Sequence, residues 1–262
     1  MENMSETIQF KQENGVVTIT LNRPKAFNSF NRAMAFALIK CLDVCAKDNA
    51  VRAVVLTGEG RAFCAGQDLK EATEENGISF EMILNEHYNP IIKAIRTLKK
   101  PVVAAVNGIA AGAGANIAFA CDLTIAKKSA SFTQAFSKIG LVPDSGGTFF
   151  LPRLVGMQRA TAMMLLSNKI TADAAVEMGL IYQAVEDDAF EAEVTKLAQR
   201  LAQMPTKALG MTKELINAGM QNDLDSQLEM EGNYQIEASQ SADYEEGVNA
   251  FLEKRKPVFK GE

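Results

Sequence analysis

Residues 101–147 decide the fold; they read PVVAAVNGIAAGAGANIAFACDLTIAKKSASFTQAFSKIGLVPDSGG. The segment Val102–Val106 is short and continuously apolar, which predicts a strand buried on both faces. Asn107-Gly108 turns the chain, and the glycine- and alanine-rich residues 112–115 predict the start of a closely packed helix. Small residues there allow another group to approach the free N–H groups at the positive end of that helix. The stretch therefore predicts a corner that can bind an anionic oxygen.

A single carboxylate, Asp144, follows about thirty residues beyond this corner, between Pro143 and a Ser-Gly-Gly sequence. An oxyanion-binding corner and one isolated carboxylate are the parts needed to move a proton next to a carbonyl group. Aspartate after proline is also common in ordinary turns, so its position alone favours catalysis and turn formation equally. Its sequence neighbours are apolar: Phe136, Ile139, Leu141, Val142, Phe149 and Phe150.

The composition is that of a soluble globular protein. The 262 residues are 47% hydrophobic and 23% charged, and the net charge of −5 argues against nucleic-acid binding. Residues 1–14 are polar with mixed charge, so no signal peptide is expected, and no apolar run is long enough to predict a membrane span. Four cysteines without paired spacing indicate a reducing compartment, and we expect a cytoplasmic protein.

The rest of the sequence predicts strands alternating with helices, followed by helices alone. We expect an α/β core over residues 1–190 and a C-terminal helical region over residues 191–262. The individual predictions are a β-hairpin over residues 7–21, a helix over 32–46 capped by Asn31, a strand over 51–57, another strand-to-helix corner over 61–69, a mobile loop over 70–79, a helix over 80–98 that Pro90 kinks or divides, strands over 122–126 and 180–185, and a short helix capped by Thr171.

Three other features have weaker functional interpretations. Gly112-x-Gly114 could begin a dinucleotide fingerprint, but the third glycine is missing at the required spacing. His87 is the only histidine, and we expect it at the surface or behind the active site rather than in a triad. Cys64 and Cys121 lie in or next to the two corners, where we expect small buried hydrophobic residues rather than nucleophiles. No metal site is expected.

Four segments together resemble the crotonase family, the enoyl-CoA hydratases and isomerases. The resemblance covers essentially the whole chain and implies a spiral of stacked ββα turns, with C-terminal helices that mediate trimers or dimers of trimers. It also implies an acyl-CoA thioester substrate and no cofactor beyond the coenzyme A of that substrate. The four segments are residues 21–28 (LNRPKAFN), 62–69 (AFCAGQDL), 107–122 (NGIAAGAGANIAFACD) and 140–147 (GLVPDSGG).

The resemblance also implies roles for individual residues. The thioester oxygen would be bound by the backbone N–H groups of Gln67 and Ala113, a pair that the two predicted corners could bring together. The residues implied to line the coenzyme A or the substrate are Lys25, Ala26, Ala65, Asp68 and Gly112.

Two departures from the family pattern indicate the reaction. Family hydratases use two glutamates, and the matching positions here are Asn116 and Phe136, which are poorly suited to activating water. Asp144 remains, and one acid/base that removes a proton from one carbon and returns it to another performs an isomerisation. The alternatives are an enoyl-CoA hydratase with relocated acid/base groups and a catalytically silent protein that only binds.

Within the family, the likeness is to the isomerases of phenylacetate degradation. Those enzymes convert 1,2-epoxyphenylacetyl-CoA to an oxepin and shift Δ3 enoyl-CoA double bonds to Δ2. By that resemblance Asp144 would carry the proton, and its apolar neighbours would keep the carboxylate dry and basic. The shared stretches are residues 63–69, 110–115, 135–138, 143–144, 241–244 and 246–248.

Overall fold

The chain alternates between two stacked sheets in the computed structural model, which describes residues 2–73 and 78–262. The larger sheet has seven strands and the smaller has four. The strands are β1 (Glu2–Ser5), β2 (Ile8–Glu13), β3 (Val16–Leu21), β4 (Ala53–Gly58), β5 (Ala62–Cys64), β6 (Val102–Val106), β7 (Ile109–Ala111), β8 (Leu123–Lys127), β9 (Ser131–Thr133), β10 (Ile170–Thr171) and β11 (Gln183–Val185).

Three consecutive strand pairs build the centre of both sheets. In each pair (β4 with β5, β6 with β7, β8 with β9) the first strand joins the larger sheet and the second joins the smaller one. The strands β3, β4, β6, β8 and β11 run parallel, and so do β5, β7 and β9. This arrangement confirms the spiral of stacked turns, and it places the ends of β5 and β7 side by side.

The helices cover the sheets and form the C-terminal part of the chain. A π-helical turn over Ile83–Tyr88 joins α3 to α4, and 3₁₀ turns lie at Pro24–Ala26 and Phe136–Ile139. The helices are α1 (Arg32–Lys47), α2 (Leu69–Thr73), α3 (Phe80–Met82), α4 (Asn89–Thr97), α5 (Ala113–Ala120), α6 (Gly147–Val155), α7 (Met157–Leu166), α8 (Ala172–Glu177), α9 (Phe190–Ala202), α10 (Thr206–Gly219), α11 (Leu224–Ala238) and α12 (Ala242–Leu252).

Local sequence signals predicted most of these elements correctly. Asn14 and Gly15 both have positive φ, 51° and 78°, as the tight turn of the β2–β3 hairpin requires. The Asn31 side chain accepts a hydrogen bond from the Met34 N–H at 3.0 Å and caps α1. Strand β6 matches the predicted residues and is fully buried.

Other predictions needed correction. The predicted kink or division at Pro90 takes the form of a π-helical turn between α3 and α4, in which the Asn89 N–H bonds to the Leu84 carbonyl and the helix widens ahead of the proline. The predicted mobile loop over 70–79 is wrong at its start, because Leu69–Thr73 forms α2; residues 74–77 lie outside the described residues. Helices α6 and α7 were not predicted. The Ser-Gly-Gly sequence at residues 145–147 is typical of a turn, so it did not indicate the start of α6.

One face of the larger sheet is covered by α9. Phe190 and Ala198 pack with Val55, Val103 and Ile125, which project from β4, β6 and β8. The helices α10 to α12 follow, and the division of the chain at residue 190 stays a prediction. In the described part of the chain, no helix is long and apolar enough to cross a bilayer.

Candidate active site

The first corner, residues 65–68, joins β5 to α2 and is held by a backbone bridge to Phe30. The Phe30 N–H bonds to the Gly66 carbonyl at 2.7 Å, and the Asp68 N–H bonds to the Phe30 carbonyl at 2.9 Å. In this parallel pairing the flanking residues make the bonds, so the N–H of Gln67 itself is directed away from Phe30. The bridge thereby fixes the orientation of a backbone donor.

The second corner joins β7 to α5 at Gly112. Gly112 has φ 53° and ψ −127°, and its N–H bonds to the Thr133 carbonyl at 2.9 Å. Ala113 is the first residue of α5, so its N–H has no acceptor within the helix. Its side chain is buried, and the corner therefore offers a second backbone donor at the positive end of a helix.

The two corners are in direct contact. Gly66 has φ 94°, a conformation that favours glycine, and a Cβ added there would lie 3.1 Å from the Ala111 carbonyl oxygen and 3.6 Å from the Ala113 nitrogen. Gln67 is the next residue in the chain. The backbone beside one proposed donor therefore lies against the other donor, as a shared oxyanion hole requires.

Asp144 is half-buried in the loop before α6. Its Oδ1 accepts a hydrogen bond from the Ser145 hydroxyl at 2.8 Å, and its carbonyl oxygen accepts the Gly147 N–H at 2.9 Å. Burial raises the pKa of the Asp144 carboxyl above its ordinary value, although the Ser145 hydrogen bond acts in the opposite direction. A carboxylate in this environment is a stronger base than one in water.

The two positions matching the hydratase glutamates have structural roles. Asn116 is fully buried and donates from Nδ2 to the Asp144 carbonyl oxygen at 2.8 Å. Its Oδ1 accepts a hydrogen bond from Gln134 Nε2 at 2.7 Å. Phe136 is buried, and its ring lies 3.8 Å from the position of a Cβ added to Gly112. Asn116 thus holds the Asp144 loop, and Phe136 forms an apolar wall beside the second corner.

A series of hydrogen-bonded polar side chains lies beside the first corner, and the sequence did not indicate it. Tyr88 is fully buried, and its hydroxyl donates to Gln67 Oε1 at 3.0 Å. Gln67 Nε2 lies 3.5 Å from Glu71 Oε2. Burial raises the pKa of the Tyr88 phenol well above its ordinary value, and the Asp144 and Glu71 carboxylates act in the same direction. Tyr88 therefore contacts the residue proposed as an oxyanion donor.

Of the residues implied to line the coenzyme A or the substrate, Ala65 and Asp68 belong to the first corner, and Gly112 belongs to the second. Lys25 is exposed and Ala26 is half-buried in the 3₁₀ turn Pro24–Ala26. The Ala65 N–H bonds to the Phe27 carbonyl at 3.0 Å, which joins this turn to the corner. Asp68 pairs with Arg23 at 2.8 Å, so its carboxylate also holds the corner in place. Their contacts with coenzyme A stay predictions.

Three predicted side-chain environments can be compared with the structure. The surface position considered for His87 is wrong, because His87 is fully buried with its ring edge-on to Phe36 at 5.5 Å, and burial lowers its pKa. Cys64 and Cys121 are confirmed as buried residues, and burial raises the pKa of each thiol to about 12. Such thiols are poor nucleophiles.

The apolar neighbours of Asp144 divide into two groups. Phe136 and Phe150 are buried against the core, whereas Val142 is 81% exposed. Ile139 and Leu141 are also exposed. The residues near Asp144 in sequence therefore include both buried aromatic rings and exposed apolar side chains.

Comparisons with known proteins identify the family of the chain and agree with its fold. A family profile described as enoyl-CoA hydratase/isomerase matches residues 11–262. The chain is 47% identical to the 1,2-epoxyphenylacetyl-CoA isomerase of Escherichia coli (strain K12), covering 98% of this chain and 100% of that protein. It is 50% identical to a probable enoyl-CoA hydratase of Rhodobacter capsulatus, covering 97% and 98%. A crystal structure of a putative enoyl-CoA hydratase/isomerase from Mycobacterium abscessus superposes with a TM-score of 0.92 at 39% identity, covering 97% and 100%.

Proposed function

Because this chain belongs to the enoyl-CoA hydratase/isomerase family, we propose that it isomerises acyl-CoA thioesters by moving a proton. The backbone N–H groups of Gln67 and Ala113 bind the thioester oxygen, and Asp144 is the acid/base. The coenzyme A moiety lies along Lys25, Ala26 and the residues of the first corner.

The proposed reaction begins with the Asp144 carboxylate removing a proton from a carbon near the thioester carbonyl. The electron pair moves onto the thioester oxygen, where the two N–H donors stabilise the enolate. Loss of one such donor costs about 3–4 kcal/mol in comparable sites. The Asp144 carboxyl then returns the proton to another carbon, so a Δ3 enoyl thioester becomes the conjugated Δ2 isomer and no water is consumed.

The observation that carries this proposal is that neither position matching a hydratase glutamate, Asn116 or Phe136, has a side chain that can act as a base. The amide hydrogen bonds of Asn116 go to the Asp144 carbonyl oxygen and to Gln134, and the second hydratase glutamate position is the phenyl ring of Phe136. Neither side chain can take a proton from water. The geometry therefore supports chemistry by a single acid/base over hydration.

The acyl group is proposed from the relatives and from the surface near Asp144. The E. coli relative is named for 1,2-epoxyphenylacetyl-CoA, an aromatic epoxide whose conversion to the isomeric oxepin also adds no water. The exposed apolar side chains of Ile139, Leu141 and Val142, which lie within five residues of Asp144 in sequence, suit an aromatic or unsaturated acyl group. We propose both acyl types as substrates, with the aromatic epoxide as the more specific one.

Hydration is the second candidate function. It is favoured by the Rhodobacter relative, which is named a probable enoyl-CoA hydratase and is 50% identical. A hydratase would lower the absorbance of a conjugated Δ2 enoyl-CoA, whereas the proposed isomerase would raise the absorbance of a Δ3 substrate. The same assay separates the two reactions by the sign of the change.

We also propose a homotrimer or a dimer of trimers in the cytoplasm. The C-terminal helices present large apolar side chains to solvent in the single chain, which supports a subunit interface. The four cysteines are buried and unpaired, which supports a reducing compartment. The exposed apolar residues of these helices include Ile216, Leu224, Leu228, Ile236, Tyr244, Phe251 and Leu252.

The test is to mix the purified protein with a Δ3 enoyl-CoA and follow the absorbance of the conjugated thioester. We expect a rise with the native protein and a loss of at least about 100-fold in kcat with Asp144→Asn, because general acid/base groups typically contribute about 10²–10⁴-fold. Asp43→Asn, on an exposed face of α1, is the matched control and should retain full activity. An undiminished rate in Asp144→Asn would reject Asp144. Absence of a rise with native protein shown to bind coenzyme A would reject general isomerase activity.

The raised pKa of Asp144 adds two measurable consequences. Activity needs the carboxylate, so kcat should increase with pH and reach half of its maximum above the ordinary aspartate pKa of about 4. The folded protein binds the proton of a carboxyl whose pKa is raised on folding more tightly than the unfolded chain does. Ionisation of the carboxyl therefore lowers the free energy of unfolding as pH increases. Asp144→Asn should therefore raise the melting temperature at neutral pH and have little effect below about pH 4, which thermal unfolding across pH would show.

A further inference from the structure

We propose that Asn116 is a positioning residue that fixes Asp144 relative to the oxyanion hole, and this inference rests on the proposed function. The acid/base and one oxyanion donor are then held by the same short helix. Helix α5 begins with the N–H of Ala113 and carries Asn116 one turn later. Residues three positions apart lie on the same helical face, so α5 joins the two halves of the reaction centre.

The Asp144 loop depends on contacts of this kind because its backbone is unusual. Ser145 has φ 50° and Gly146 has φ 74°, and a left-handed conformation is uncommon for serine. The Asp144 carbonyl oxygen, directly before this pair, accepts both the Gly147 N–H and Asn116 Nδ2. The loop is therefore attached to α5 at the residue that carries the catalytic carboxylate.

Steric contact reinforces the hydrogen bond. A Cβ added to Gly147 would overlap the Asn116 side-chain amide, lying 2.9 Å from its Cγ. The loop backbone thus lies directly on the amide group, and the absence of a side chain at Gly147 allows this approach. The distance between the loop and α5 is set by this contact.

Gln134 determines which edge of the Asn116 amide faces the loop. Gln134 Nε2 donates to Asn116 Oδ1, which leaves Nδ2 as the edge that faces the Asp144 carbonyl oxygen. Gln134 is 1% exposed and Asn116 is fully buried, so water does not compete for these bonds. Two amides in series therefore hold one backbone oxygen.

The consequence concerns catalysis more than binding. A misplacement of about 1 Å between reacting groups can cost about 10²-fold in rate. Loss of the Asn116 contact would move Asp144 while leaving the N–H groups of Gln67 and Ala113 in place. We therefore expect a change in kcat with little change in KM.

Asn116→Leu is the first test, because leucine has the same branching as asparagine but no hydrogen-bonding atoms. We expect kcat for a Δ3 enoyl-CoA to fall about 10- to 100-fold and KM to change less than about threefold. Thr124→Val is the matched control. It removes a buried hydrogen bond from Thr124 Oγ1 to the carbonyl of Ala118, which lies in α5 together with Asn116, and it leaves the hydrogen bonds of Asp144 unchanged. A loss of kcat in Thr124→Val equal to that in Asn116→Leu would overturn the proposal.

Asn116→Asp provides a readout that general weakening of the fold would not produce. A protonated aspartic acid can donate to the Asp144 carbonyl oxygen, whereas its ionised form can only accept. Native activity should reach a plateau as pH increases. The activity of Asn116→Asp should pass through a maximum and then decline as the introduced carboxyl ionises. A pH profile with the native shape in Asn116→Asp would count against the hydrogen bond.

Hydrogen–deuterium exchange separates this inference from the proposed function. In Asn116→Leu, amide exchange in the peptide containing residues 140–150 should be about tenfold faster than in the native protein, and Thr124→Val should leave it unchanged. If the native protein does not isomerise any thioester but this exchange still increases, the proposed function is wrong and the anchoring role stands. Unchanged exchange together with unchanged kcat in Asn116→Leu would overturn the inference.

Discussion

The two corners that supply the proposed oxyanion donors differ in how their backbones are held. The first corner, residues 65–68, is fixed by partners distant in sequence: Phe30 through its backbone, and Arg23 and Tyr88 through their side chains. The second corner, residues 111–114, is fixed mainly by close packing around Gly114. A Cβ there would overlap the Cys64 carbonyl and lie 2.7 Å from both Cys64 Cβ and Sγ. Hydrogen bonds and an ion pair with residues distant in sequence therefore dominate at the first corner, and close packing dominates at the second.

This difference determines how each corner should respond to substitution. A polar contact can be lost while its neighbours remain in place, so damage to the first corner should be graded. A corner held by close packing has no room to adjust, so one added methyl group must displace backbone. Because Gly114 packs on Cys64 of β5, such a displacement would also move the strand that leads into the first corner.

Gly114→Ala should have the largest effect. We expect the added Cβ to push α5 away from β5, destabilise the protein by about 1–3 kcal/mol and lower kcat by at least about 100-fold. Thermal unfolding and the Δ3 enoyl-CoA assay measure the two effects. Gly232→Ala is the matched control, because a Cβ at Gly232 in α11 would meet nothing within 4 Å beyond the backbone of its own helix and its two chain neighbours. It should be neutral or stabilising by up to about 1 kcal/mol. Full activity of Gly114→Ala would show that the second corner is not held by packing.

Arg23→Met should have an intermediate effect on the first corner. Arg23 bonds to Asp68 Oδ2 at 2.8 Å and to the Ser29 carbonyl at 2.6 Å, and methionine keeps only the apolar stem. We expect a loss of about 1.5–3 kcal/mol in unfolding free energy and about a tenfold fall in kcat/KM, because a half-buried carboxylate loses its partner. Arg32→Met removes the more exposed pair with Glu86 and should cost less than about 1 kcal/mol. Equal losses of unfolding free energy in Arg23→Met and Arg32→Met would show that the Arg23–Asp68 pair does no more for the protein than an exposed ion pair.

The sequence predicted the second corner well because its information is local. Residues 112–115 are glycine and alanine in an unbroken run, and the apolar strand β6 before them is continuous. The strands β7 and β9 are three residues each, too short to show a period, so the smaller sheet could only be anticipated by resemblance. The spiral of stacked turns was therefore predicted by the local sequence pattern together with the family resemblance.

The supports of the site could not be predicted in this way. Tyr88 lies 21 residues from Gln67 in sequence, and Gln134 lies 18 residues from Asn116, and neither spacing has a pattern that indicates contact. In the sequence, Asn116 was notable only because family hydratases have a glutamate at its position. Its hydrogen bond to the Asp144 carbonyl becomes visible once α5 and the loop before α6 are packed together. Residue types can indicate the chemistry of a site, whereas its positioning contacts depend on the fold.

Tyr88→Phe should have the smallest effect and is the most informative test of how the first corner is held. It removes one hydroxyl and leaves the buried ring, which packs edge-on to Phe30 at a centroid distance of 5.8 Å. We expect Gln67 to lose one hydrogen bond of about 1 kcal/mol and kcat to fall about three- to tenfold. Tyr234→Phe removes a hydroxyl bonded to Glu214 at 2.7 Å, between α11 and α10, and should leave kcat unchanged. If kcat is also unchanged in Tyr88→Phe, the bridge to Phe30 alone positions the Gln67 N–H, and the two corners differ less than their side-chain contacts indicate.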